Sequence, residues 1–166
     1  MALAIRRYRP EDRQAMALVY YRAITEGAAA FYSELERAAW APSPDPDWDT
    51  RDKLLDQWCY VAEQDGRMTG FMSMDATGCL DMAFVIPEVM GKGTAAALYD
   101  VVLARAKAAG LARLTVRAAH QSQRFLARRG WQVDEFERFA VDGQVYDLFQ
   151  MSCTLLPDQR GADDQL

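Results

Sequence analysis

Several residue types on which enzymes often depend are scarce in this sequence. Its 166 residues include one histidine, His120, and three cysteines, Cys59, Cys79 and Cys153, which lie far apart in the chain. No CxxC pair or Cys/His cluster occurs, so neither a structural zinc site nor a disulfide framework is predicted. The single histidine argues against a catalytic triad or a metallohydrolase, because both usually need a placed imidazole. We expect reduced thiols, no metal and a cytoplasmic location.

Long apolar runs and an excess of basic residues are also missing. No apolar run approaches the ~20 residues that a transmembrane helix needs, and charged residues appear within the first six positions, unlike a secretory signal. The formal net charge is −5, from 19 basic and 24 acidic residues. Since nucleic-acid-binding proteins usually present a basic face, this balance predicts neither a nucleic-acid partner nor a membrane partner.

The composition fits one globular domain. Hydrophobic residues make up 51% of the chain and charged residues 26%, which is enough apolar material for a core and excludes wholesale disorder. We predict a single domain over residues 1–156. The polar segment 157–166 is predicted to be a disordered tail.

Apolar periodicity and turn residues predict a mixed α/β (α+β) chain in the order β-α-α-(α)-β-β-β-α-β-α-β-β. The predicted strands are residues 3–8, 59–64, 67–74, 80–86, 111–117, 131–141 and 144–155. Helices are predicted to start near residues 10, 33, 50, 94 and 121. Ser33 and Glu36 form a capping box at the second helix. The strand–helix–strand segment after residue 80 predicts parallel neighbours with a ligand crevice at their carboxyl ends.

The most informative segment is LDMAFVIPEVMGKGTAAALYD, residues 80–100. A strand ends at Pro87, and Gly91 and Gly93 then precede a helix whose first turn carries only small side chains. A phosphate group could approach the main-chain N–H groups there and benefit from the positive helix end. The spacing matches neither the P-loop nor the GxGxxG pattern. On its own, the segment is equally consistent with a structural turn.

Two segments resemble the GNAT superfamily of acetyl-CoA-dependent acyltransferases. The first is AFVIP, residues 83–87, followed by MGKGTA, residues 90–95, with Gly93 and Ala95 at the family's two small positions. The second is FLARRGW, residues 125–131, which ends a helix. Met90 stands where the family usually has Gln or Arg, and Leu126 stands where many members have a tyrosine thought to protonate the departing thiolate. The resemblance covers about residues 3–155.

The resemblance implies a GNAT fold with acetyl-CoA as co-substrate. Its central mixed sheet has about six to seven strands flanked by helices, and a splayed strand pair binds the pantetheine arm of CoA. The oxyanion donor is expected from the main chain of Phe84, Val85 or Ile86. The diphosphate is expected at the helix start, which comprises Met90, Gly91, Lys92, Gly93, Thr94, Ala95 and Ala96. Lys92 could also reach the CoA phosphates.

The resemblance also implies acetyl transfer to an amine, which must lose a proton because its pKa is near ~10.4. Asp81 is the best candidate base by its placement. Glu26 could bind a cationic acceptor or act as base through water, and Tyr146 is a substitute acid. Tyr32 and Trp40 could line the acceptor pocket with Glu26. Each residue also has a structural alternative, such as a solvated acid or an ordinary core aromatic.

The acceptor stays open at this level: small amine, amino acid, antibiotic, polyamine and protein N-terminus are all compatible, with a mild tilt towards cations from the net charge. Two other functions compete with the enzyme. One is a catalytically weak acyl-CoA-binding or sensing module, suggested by Leu126. The other is a phosphate-ligand domain unrelated to GNAT proteins. The sequence leaves the oligomeric state open, with a homodimer as one possibility because dimers are the commonest oligomers.

Overall fold

A computed structural model describes residues 2–45 and 51–155. The proposed tail and the domain end at residue 156 lie outside the described residues. In chain order the strands are β1 Ala4–Arg7, β2 Trp58–Gln64, β3 Arg67–Met74, β4 Cys79–Val85, β5 Arg113–Ala118, β6 Gln132–Val141 and β7 Gln144–Thr154. The helices are α1 Arg13–Arg22, α2 Glu34–Trp40, α3 Arg51–Asp56, α4 Thr94–Ala108 and α5 His120–Ala127.

All seven strands form one sheet in the order β1-β2-β3-β4-β5-β7-β6. Neighbours are antiparallel except β4 and β5, which are parallel and pair only through Cys79–Thr115 and Leu80–Val116. Beyond Leu80 the two strands separate. The predicted fold class, strand number and splayed strand pair are therefore confirmed.

Helices cover both faces of the sheet. Helix α4 packs on β2 and β3, and α5 packs on β5 and β7, over a core that includes Met72, Leu98 and Leu114. Helix α1 packs on β3 and β4, over a second core that includes Met16 and Phe71. The two cores lie on opposite faces because side chains alternate along β3.

Local sequence signals explain most element ends. Ser33 caps α2 and forms the predicted capping box with Glu36, in which each side chain bonds the other residue's main-chain N–H. Gly110 follows α4 with a φ of 74°, as a glycine after a helix often does. The first helix differs from the prediction: α1 ends at Arg22, and Ala23–Gly27 continues as a π-helical turn. That turn widens the backbone where it contacts the 3-10 turn Pro87–Val89.

Membrane-spanning helices and metal-binding clusters are both absent from the described residues. No helix among them is long and apolar enough to cross a membrane. No group of three or more His, Cys, Asp or Glu side chains in the described ranges is arranged to hold a metal ion.

Candidate active site

The separation of β4 and β5 opens a cavity of about 600 Å³ that reaches both faces of the sheet. On the α1 face it is lined by Tyr20 and Ile24, and on the α4 face by Ala95 and Leu98. The strands themselves contribute Leu80–Val85 on one side and Val116 on the other. A single opening therefore joins a chamber beside α1 to the start of α4.

The main chain of β4 directs polar groups into this gap. In an antiparallel pair, alternate residues turn their N–H and C=O groups towards the partner strand. The Ile86 amide donates to the Thr69 carbonyl at 2.9 Å on the β3 side, so the amides of Val85 and Ala83 face the gap. Of the three predicted oxyanion donors, Val85 alone has this orientation. Ile86 is buried and bonded to β3, and Phe84 lines the cavity with its side chain.

A β-bulge lies where the two strands part. Ser73 pairs with Met82 and Met74 pairs with Leu80, so Asp81 is an extra residue in β4 at this step. Bulges bend a strand and end regular pairing, which accounts for the gap beginning beside Asp81. The resemblance to GNAT proteins implied that these strands splay apart, although the sequence did not indicate the residue at which they do so.

The loop before α4 presents an open main-chain surface. Gly91 and Gly93 have φ values of 74° and 92°, and a Cβ added to either residue would meet nothing within 4 Å. The first N–H groups of α4, from Thr94 to Ala96, have no partner within the helix because four residues must precede each bond. A ligand anion could therefore contact several amides at the positive end of a 15-residue helix.

The predicted loop residues divide into those that line the cavity and those that support it. Met90, Gly91 and Ala95 line it, whereas Thr94 is buried by its neighbours. Lys92, Gly93 and Ala96 complete the loop and first turn outside the lining. Arg128, an exposed cation from the end of α5, lines the cavity as well.

The departures from the GNAT pattern have structural consequences. The Met90 thioether packs against Gly27, where an added Cβ would overlap the methionine methyl group. Met90 thus links the phosphate loop to the π-helical turn. Leu126 is buried in the core and borders the cavity, and its aliphatic side chain has no proton to donate. The opposite wall of the gap includes Val116, Arg117 and Ala119.

Asp81 is the one carboxylate among the described residues that line the cavity. Its Oδ2 atom lies 2.8 Å from Lys53 Nζ and accepts a hydrogen bond of 3.0 Å from Gln57 Nε2. The side chain is 24% exposed. Lys53 and Gln57 are one helical turn apart and were not predicted.

Glu26 lies outside this cavity lining. Its carboxylate is 51% exposed and accepts two hydrogen bonds from Arg22, at 2.9 and 3.1 Å. Arg22 also contacts Glu88 at 2.8 Å. Glu26 therefore belongs to an ion-pair group that joins the π-helical turn to the 3-10 turn after β4.

Tyr146 is buried away from the cavity lining. Its hydroxyl donates to the Glu36 carbonyl at 2.5 Å, and its ring packs on Tyr32 and Trp40. Burial, followed by the nearby acids, raises the pKa of the Tyr146 phenol. The geometry favours a structural role, in which Tyr146 fastens β7 to α2.

Aromatic side chains form much of the chamber beside α1. Tyr32 and Trp40, the two candidates for the acceptor pocket, line it with ring centroids 5.5 Å apart. Tyr20 and Phe84 also line it, with centroids 4.8 Å apart. Tyr20 was not assigned to the site from the sequence, because its helical spacing placed it in an ordinary apolar face.

The three cysteines are all free thiols. Burial raises the pKa of Cys59 to about 12, and burial also raises the pKa of Cys79 and Cys153. Since the thiolate is the reactive form, these environments do not favour a cysteine nucleophile.

Known proteins share this arrangement. Residues 25–155 match the family model described as the acetyltransferase (GNAT) domain. The chain belongs to the GNAT acetyltransferase family. This GNAT protein is therefore an acyltransferase, and the family resemblance predicted from its two motifs is confirmed.

Individual relatives cover nearly all of this GNAT chain. The uncharacterized N-acetyltransferase YafP of Escherichia coli K12 is 30% identical over 149 residues, which are 90% of this chain and 94% of YafP. The crystal structure of a GCN5-related N-acetyltransferase from Rhodopseudomonas palustris is 28% identical, covers 93% of this chain and 97% of its own, and has a TM-score of 0.85. YncA from Salmonella typhimurium, solved with acetyl-CoA, shares the fold at 20% identity with a TM-score of 0.66, covering 96% of this chain and 99% of its own.

Proposed function

We propose that this protein transfers an acetyl group from acetyl-CoA directly to an amine. One observation carries the proposal: a single cavity joins an open helix start, a strand gap lined by main-chain groups, and a chamber containing one carboxylate. Each part meets one requirement of the reaction, namely an anion site, a place for the thioester arm, and a site for the amine.

The diphosphate of CoA would bind at residues 90–96. Gly91 and Gly93 leave room for phosphate oxygens, and the amides of the first helical turn would donate to them. Arg128 and Lys92 are the cations placed to neutralise the remaining phosphate charge. The solved YncA structure contains acetyl-CoA, which supports the choice of this ligand within the family.

The pantetheine arm would lie between β4 and β5 like an added strand. Ala83 and Val85 turn their main-chain groups into this gap, so they could pair with the amides of the arm. When the amine nitrogen attacks the thioester carbonyl carbon, negative charge develops on the carbonyl oxygen. The Val85 N–H is the donor best placed to stabilise that oxyanion.

The amine must lose one proton as its bond to the acetyl carbon forms. Asp81 is our candidate for accepting that proton, directly or through water, because it lies beside the gap and lines the cavity. Lys53 and Gln57 fix the carboxylate through Oδ2, and Oδ1 bonds no other group of the described residues.

The C–S bond then breaks and CoA leaves as a thiolate. A thiol with a pKa near ~8.5 can leave without a protein acid or take its proton from water. The role proposed for Tyr146 as acid stays a prediction, but its bond to Glu36 makes water the simpler donor. The role of Glu26 also stays a prediction, with its ion pair to Arg22 offering a structural alternative.

An assay of CoA release from acetyl-CoA tests the proposal directly. The purified protein should release CoA faster with a suitable amine than without it, and mass spectrometry should detect the acetylated amine. Asp81→Asn should lower kcat. Asp134→Asn, which alters an exposed ion pair between Asp134 on β6 and Arg113 on β5, should leave kcat unchanged. CoA binding without turnover for every amine would instead favour an acyl-CoA sensor, and absence of CoA binding would exclude both functions.

A further inference from the structure

We infer that the acceptor is a primary alkylamine whose side chain carries a flat aromatic ring. The inference rests on the proposed function and concerns the half of the cavity beside α1. Tyr20, Tyr32, Trp40 and Phe84 line this half, and Phe71 lies behind Phe84 at a centroid distance of 5.7 Å, fully buried. Clustered rings of this kind offer faces and edges to another aromatic ring, an arrangement that favours aromatic over aliphatic ligands.

The rings are held in place by specific contacts. Trp40 packs edge-on against Tyr32 and Tyr146, with ring centroids 5.5 and 5.7 Å apart. The segment before Trp40 is fixed by the Arg37 guanidinium, which donates to the carbonyls of Tyr32 and Thr25. A pocket with fixed walls selects ligands by shape at a small entropic cost.

Another polar bond crosses the wall of the chamber. Gln121, near the start of α5, lines the cavity and donates to the Gly27 carbonyl at 2.9 Å. This bond ties α5 to the π-helical turn on the other side of the gap. Phe31, which follows that turn and also lines the cavity, lies under the Arg124 guanidinium at 5.2 Å.

Charge at the cavity also favours a monoamine over a polyamine. Asp81 already contacts Lys53 and Gln57. The other charged residues in the described lining are Arg117, which is paired with Glu137 at 2.6 Å, Arg124 and Arg128, so the lining offers no second acid to another ammonium group. One ammonium group could still lie beside Asp81 and the ring faces. The mild tilt towards cations suggested by the net charge therefore does not extend to a polyamine.

Binding calorimetry on the protein saturated with CoA tests this inference independently of turnover. The probes are tryptamine, n-hexylamine and spermidine: the first two differ in their apolar body, and the third carries additional amino groups. Tryptamine should bind about threefold or more tighter than n-hexylamine, reflecting ring–ring contacts, and tighter still than spermidine. Equal affinities, or the reverse order, would overturn the inference.

A pair of variants on one helix locates the effect. Trp40→Ala should remove the preference for tryptamine over n-hexylamine while leaving the Kd for CoA unchanged. Leu35→Ala, on the same helix but 71% exposed, should retain the preference. If Trp40→Ala keeps the full preference and remains folded by circular dichroism, the aromatic chamber is not the acceptor site.

The two proposals fail in different ways. Failure of CoA itself to bind would contradict the proposed acetyltransferase function. Normal CoA binding and acetylation of spermidine or n-hexylamine in preference to tryptamine would preserve that function and contradict only the aromatic acceptor.

Discussion

Replacing Gly93 by alanine tests the phosphate site at a single methyl group. Gly93 precedes α4 with a φ of 92°, and an added Cβ would meet nothing within 4 Å. The folded protein should therefore accept the methyl group without a clash. The left-handed backbone costs an alanine roughly 1–2 kcal/mol, which corresponds to a fall in Tm of about 2–4 °C for each kcal/mol in a chain of this size.

Gly93→Ala should weaken CoA binding by more than its loss of stability alone would predict. The methyl group would occupy the open space in front of the helix start, or the loop would rotate to relieve its strain. Either change would weaken one or more charge-assisted hydrogen bonds, worth about 1.5–3 kcal/mol each. Since about 1.4 kcal/mol is tenfold, the Kd for CoA should rise roughly 10- to 100-fold.

Gly110→Ala is the matched control. Gly110 follows the same helix at its other end, with a φ of 74° and open space around an added Cβ. Gly110→Ala should lower the Tm of thermal unfolding by a similar amount. Its Kd for CoA, measured by calorimetry, should equal that of the wild type. Equal Kd values for Gly93→Ala and wild type, with Tm lowered as in the control, would refute the assignment of the diphosphate to this loop.

Three further predictions concern residues around the site. Tyr146→Phe should lower the free energy of unfolding by about 1 kcal/mol, because the Glu36 carbonyl loses its hydrogen-bond donor. The variant should keep the wild-type kcat, and a large fall in kcat would instead favour Tyr146 as the catalytic acid. Gly70→Ala should destabilise the protein by about 1–3 kcal/mol in urea unfolding, since its Cβ would lie 2.7 Å from Val85 Cγ1. An unchanged free energy of unfolding would contradict the tight packing behind the gap. Burial opposes ionisation of Asp12, but hydrogen bonds from its arginine neighbours outweigh it and hold the pKa below its usual value. Its contribution to stability is present above the unfolded pKa and is lost as the pH falls through the folded pKa. Asp12→Asn should therefore cost about 2 kcal/mol at pH 7 and progressively less as the pH is lowered; a cost that does not change with pH would contradict the ion pair.

The fold was predictable where short-range signals agreed with long-range packing. The capping box at Ser33 and the turns after β2 and β6 mark element ends, because their side chains or backbone angles act locally. The two family motifs then specified how the elements assemble. The π-helical turn at Ala23–Gly27 was missed, since it depends on contact with the loop after β4 and has no sequence signature.

The site was only partly predictable. The glycines of the phosphate loop are visible in the sequence because backbone freedom is a local property. Lys53 and Gln57 lie more than twenty residues from Asp81, so their contact with it is a consequence of the fold. Tyr20 has the spacing of a core residue, and only the gap between β4 and β5 makes it part of a cavity wall. Long-range contacts of this kind leave no trace in a single sequence.

The most direct test is a crystal structure of the protein with CoA. We predict the diphosphate within hydrogen-bond distance of the amides from Gly91 to Ala96, and the pantetheine arm between β4 and β5 paired with Ala83 and Val85. A CoA molecule bound elsewhere, with this gap closed or filled by side chains, would contradict the account.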